Sequence, residues 1–98
     1  MYRKGSFDEM LAVDLLKSEE ARKSFLLADI EEEDFNAIES LKTSINSMGV
    51  KEFANLADLP TASVSRFING DEIPKFSTLE KFFAPFGVKP KLEIEQVA

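Results

Sequence analysis

The sequence predicts an all-α chain closed by one short strand. Three observations carry this. Apolar residues recur at intervals of three and four from Phe7 to Phe86, the segments that hold them are punctuated by Gly, Pro, Ser, Asn or Asp, and only Lys91 to Val97 alternates apolar with charged side chains. With 98 residues, 44% of them hydrophobic and 31% charged, the chain is long enough for one core and too apolar for disorder.

The first helix is expected over 7–17. Ser6 stands before it as a cap with Glu9 three residues on, and Phe7, Met10, Leu11 and Leu15 form its stripe. Ser18 and two glutamates then open a second helix over 19–29, with Ala21, Phe25 and Ala28 on one face. The acidic run Glu31 to Asp34 reads as the first turn of a third helix, 33–48, where carboxylates meet the positive end of the helix dipole. Phe35, Ile38, Leu41, Ile45 and Met48 continue it, and Gly49 ends it.

Beyond Gly49 the elements shorten. Val50 to Ala57 and Thr61 to Ile68 read as two short helices sharing a tight turn at Asp58 to Pro60, the second closed by Asn69-Gly70. Ser77 to Glu80 has the spacing of a capping box, so a last helix is expected over 78–86, ending at Gly87. Phe76, Leu79, Phe82, Phe83 and Phe86 are mainly core residues, with an outward Phe82 or Phe83 available to seal a partner interface. Pro90 disfavours helix, and the alternation of Leu92 and Ile94 with charges predicts a half-exposed strand over 91–97.

Composition narrows the chemistry. There is no Cys and no His, so disulfides, thiolate metal sites and the commonest general base are absent. The acidic run lacks the glycine-bearing spacing of a calcium loop, and neither Ser63 nor Ser65 has a base at matching spacing. No catalytic residue, metal or cofactor is expected. No apolar run approaches the roughly 20 residues of a membrane helix, so the expectation is a soluble, cytoplasmic chain. The net charge of −6 lies entirely in residues 1–40, which hold eleven acidic and five basic residues. Residues 41–98 hold seven of each sign. An acidic total therefore leaves room for a local basic face.

Two short helices joined by a tight turn and braced by longer helices form the arrangement that lays a helix in the DNA major groove. Ala54 is small where the first helix must approach the second, Val64 and Phe67 face inward, and Phe53, Ala57 and Leu59 fill the wedge. Asp58 suits a left-handed turn position. Thr61, Ala62, Ser65 and Arg66 then face away from Val64 and Phe67, towards base edges.

Phe53-Ala54, Val64 to Gly70, Pro74, Ser77-Thr78-Leu79 and Phe86-Gly87-Val88 resemble the helix-turn-helix domain of the lambda-repressor-like (Xre/Cro) family, over Val50 to Val88. Phe7 to Leu11, Leu16 to Ala21 and the closing Lys-Leu-Glu-Ile extend the resemblance to the putative addiction-module antidote proteins, which are HigA-like antitoxins. Val50, with Lys51 beside it, replaces the family's usual Gln. Asp58 replaces the turn Gly, and the usual Ser or Thr cap of the recognition helix falls on Pro60, leaving Thr61 as a shifted cap.

The resemblance implies a lambda-repressor-like domain of about five helices at 34–90, an acidic N-terminal helical extension at 1–33 and a C-terminal dimerisation strand at 91–98. It places Thr61, Ala62 and Ser65 in base-facing slots with Arg66 beside them; Arg66 is the strongest base-contact candidate because arginine pairs bidentately with guanine. Lys51, Asn69 and Lys75 flank that face as phosphate contacts. The implied function is a sequence-specific regulator of double-stranded operator DNA, the antitoxin of a type II toxin-antitoxin module that represses its own operon. Operators are usually two-fold repeats, so a homodimer is required, paired through Leu92 and Ile94. The acidic extension suits a small basic toxin. Two alternatives remain open here: a phage or mobile-element repressor without a toxin, and an interaction module that no longer binds DNA.

Overall fold

The computed structural model describes residues 4–70, 74–92, 94 and 96, with side chains from Met10 onward. Its elements are α1 (Lys4–Lys17), α2 (Glu19–Leu26), α3 (Ala37–Met48), α4 (Val50–Ala57), α5 (Thr61–Ile68), α6 (Phe76–Phe83) and a 3-10 turn, Ala84–Phe86. The all-α expectation therefore holds at the level of class. Among the described residues no strand is present, and no helix is long and apolar enough to cross a membrane.

One cluster of buried side chains runs through all the α-helices and the 3-10 turn. It contains Leu15 of α1, Leu26 of α2, Leu41 and Ile45 of α3, Phe53 of α4, Val64 and Phe67 of α5, and Phe82 and Phe86 further on. Aromatic rings form its centre. Phe53 stands edge-on to Phe82 and tilted to Phe86, each 6.0 Å away between centroids. At such distances ring pairs add about 0.5 to 1.5 kcal/mol beyond the area they bury. The N-terminal helices share this core, with α1 against α2 and α3, and α2 against α3 and the 3-10 turn.

Several expected boundaries and faces shift, each for a local reason. The first helix already runs through Lys4 to Gly5, which puts Ser6 inside it rather than at its cap. The burial of Phe7 lies outside the described side chains. Met10 is 65% exposed, because the buried line of α1 passes through Leu15 with Leu11 packed beside it, one helical turn away. In α2 the fully buried residues are Arg22 and Leu26; of the expected stripe, Ala21 and Phe25 pack half-buried against the core and Ala28 is exposed. Arg22 can lie inside because three of its guanidinium N–H groups reach backbone carbonyls. Nη1 donates to the Leu15 carbonyl at 2.8 Å and the Leu16 carbonyl at 3.3 Å, and Nε donates to the Pro85 carbonyl.

The second helix stops at Leu26, and consecutive turns follow. Ile30 donates to Leu27, Glu32 to Asp29 and Phe35 to Glu32. The acidic run Glu31 to Asp34 therefore lies in these turns, before α3, and not in its first turn. Asn36 caps α3 instead, its Oδ1 accepting from the amides of Ile38 at 3.0 Å and Glu39 at 3.2 Å. A side-chain oxygen that binds two free amides outcompetes an acidic first turn as the start signal.

The expected capping box at Ser77 does not form. Thr78 and Leu79 both donate to the Lys75 carbonyl at 2.9 Å, so the first turn of α6 closes earlier and Ser77 lies within the helix. The helix gives way to the 3-10 turn at Ala84 because Pro85 has no amide hydrogen to continue the ladder. Phe82 and Phe83 are both buried, so neither faces a partner.

The C-terminal strand is not observed: Lys91, Leu92, Ile94 and Gln96 are irregular, and the expectations for Glu93, Glu95 and Val97 lie outside the described residues. Leu92 and Ile94 are 70% and 86% exposed. A strand needs a neighbouring ladder for its backbone groups, and the described residues of the chain offer none.

Candidate nucleic-acid interface

The bihelical unit has the boundaries that the sequence predicts. Gly49 at φ 102° ends α3 and starts α4 in one residue. A Cβ there would collide with the Glu52 side chain. α4 ends at Asp58, whose φ of 57° and ψ of 47° are left-handed, and the Asp58 and Leu59 amides turn back onto Asn55 and Ala54 carbonyls. Asp58 is the one non-glycine residue at positive φ among those described. It does the work a glycine would do there. Pro60 then leads into α5, its carbonyl accepting from Ser63 at 3.0 Å and Val64 at 3.3 Å. Pro60 is the N-cap residue, and Thr61 is the first residue of the helix rather than a shifted cap.

The wedge is tight where the sequence makes its residues small or apolar. Ala54 is 2% exposed, Phe53 and Val64 are fully buried, and Phe67 is 3% exposed. Phe67 makes two ring contacts. Its ring is edge-on to Phe82 at 4.7 Å, and the Lys42 ammonium of α3 lies 5.4 Å from its centroid. A partly desolvated cation over a ring is worth roughly 0.5 to 2 kcal/mol.

With Val64 and Phe67 turned inward, helical geometry puts Ala62 and Arg66, four residues apart, on the outer face. Thr61, Ala62 and Arg66 are exposed and Ser65 is half-buried. No side chain caps α5, and with the Ser63 and Val64 amides bonded to Pro60, the Thr61 and Ala62 amides are the ones that emerge at its start.

Arg66 and Lys75 share one groove, although they lie nine positions apart. Both line a groove of about 450 Å³ between α5 and α6, together with Ser63, Thr78, Pro74 and Phe67. Two cations and two hydroxyls make this an anion-accepting surface. Asn69 is exposed at the C-terminal cap of α5. Lys51 is exposed in the first turn of α4 and does not line the groove. Leu92 and Ile94 lie in the separate C-terminal segment.

Sequence reasoning overlooks Ser63, Thr78 and Lys42. Ser63 lies three residues before Arg66, a spacing that would have found it. Thr78 and Lys42 are brought in by tertiary packing, which local spacing does not encode.

No family model matches this chain, and neither a curated protein nor a solved structure does. The functional reading therefore rests on the residues and geometry of the chain itself.

Proposed function

We propose that this protein is a sequence-specific regulator that binds double-stranded DNA as a homodimer, with α5 in the major groove. The observation that carries the reading is the rigid α4–α5 wedge. It buries Val64 and Phe67 while leaving Thr61, Ala62 and Arg66 outward, beside a groove that holds Lys75. Arg66 reads guanine, Thr61 and Ser65 donate to or accept from base edges, and Ala62 meets a thymine methyl. Lys51, Asn69 and Lys75 bind phosphates, which fixes register without reading sequence. One such helix reads only a few base pairs. A two-fold pair is therefore needed, and Leu92 and Ile94, exposed in the single chain, supply apolar surface for it.

The biological role we propose is that of an antitoxin in a type II module, which represses its own operon and neutralises a small basic toxin. The sign of the N-terminal part supports this, since residues 1–40 carry the entire −6. Complementary charge chiefly speeds encounter.

Selection from a pool of random duplexes tests the DNA reading. The expected product is an inverted repeat with half-sites about 10 base pairs apart, one turn of duplex. Recovery of no common sequence, with binding insensitive to salt, would overturn it.

A further inference from the structure

We propose that the groove between α2, the turns at 27–35 and α3 is the docking site for a cationic polypeptide segment of a partner protein. The inference rests on the partner half of the proposed function and gives that partner a place on this chain.

The groove holds about 630 Å³. Half-buried Phe25 and Phe35 form its apolar walls, and the carboxylates of Asp29, Glu32, Asp34 and Glu39 stand around them. None of the described residues lining it is Lys or Arg. The acidic run would be explained by helix stability if it began α3. It does not, because α3 begins at Ala37 under an Asn36 cap. Glu39 stands in the first turn of α3, where the helix end accounts for it, but Asp29, Glu32 and Asp34 lie outside any helix and are gathered around the same concave aromatic surface.

The occupant follows from sign and spacing. Nucleic acid and anionic lipid are excluded by charge. Among the described residues no three carboxylates converge closely enough to hold a metal ion, so the complement is a set of separated cations rather than one ion. Lys or Arg side chains spaced along a chain, around an apolar residue that enters between Phe25 and Phe35, match it. An arginine stacked on either ring gains a cation–π contact as well as a carboxylate partner.

Deleting residues 1–33 would remove Leu15 and Leu26 from the core, so exposed side chains of the intact 98-residue chain are the appropriate target. The probe is a fluorescent nonapeptide of alternating Arg and Leu, titrated at low salt against three proteins. These are the wild type, a groove set (Asp29→Asn, Glu32→Gln, Asp34→Asn) and a charge-matched control set (Glu20→Gln, Glu31→Gln, Glu33→Gln). Two members of the control set belong to the same acidic run but lie off the groove. Wild-type binding should weaken about tenfold in the groove set and less than about twofold in the control set. The proposal is overturned if the wild type does not bind, or if the groove set weakens binding no more than the control set. Neither result touches Arg66, so the duplex measurements would stand or fall separately.

Discussion

The ring of Phe67 meets that of Phe82 edge-on, with centroids 4.7 Å apart and planes at 83°. This contact joins the presented helix α5 to α6, and the Lys42 ammonium of α3 lies over the same ring at 5.4 Å. Rotation of α5 about its own axis would break both contacts. The direction in which Arg66 points is thus set by its buried neighbour in sequence.

Truncating that neighbour should be costly. Phe67→Ala removes a ring that is 3% exposed, and urea denaturation should show a loss of about 3 to 5 kcal/mol, with Phe67→Leu losing clearly less. Equal stability of Phe67→Ala and wild type would mean that α5 is held by something else.

Asp58 offers a test of the turn. Its left-handed φ of 57° is tolerable for Asp, free for Gly and strained for a β-branched residue. Asp58→Val should lower stability by about 1 to 3 kcal/mol, whereas Asp58→Gly should match or exceed the wild type. Thermal unfolding of the two variants side by side reads the difference.

Arg22 binds the end of α1 to the 3-10 turn through backbone carbonyls of Leu15, Leu16 and Pro85. Arg22→Met keeps most of the volume but leaves those acceptors without their charged donor, at a cost of about 1.5 to 3 kcal/mol. Arg22→Lys should not restore it, because a single ammonium cannot reproduce the planar fork. Full recovery in the lysine variant would contradict this.

The legible parts of the sequence were those governed by local stereochemistry. Val50–Ala57 and Thr61–Ile68 were readable to the residue because Gly49, Asp58 and Pro60 punctuate them in the backbone itself. Val64 and Phe67 inward with Ala62 and Arg66 outward followed from helical period alone. Competing signals were misread. At the start of α3 a charge argument lost to one asparagine with two amides to bind, and at α6 the spacing of Ser77 and Glu80 counted for less than the turn closed on Lys75. Arg22 shows the limit of hydrophobic patterning, since an arginine counted as polar lies inside once three distant carbonyls receive it. The groove that Arg66 shares with Lys75 and Thr78 was beyond any local rule.

The face that carries Arg66 is most directly tested by titrating Arg66→Ala against wild type on the duplex recovered by selection, with single base changes at each half-site position, across a salt series. Loss of about 1 to 3 kcal/mol of affinity together with loss of preference at one base pair is the predicted result. Unchanged affinity and unchanged base preference would contradict it.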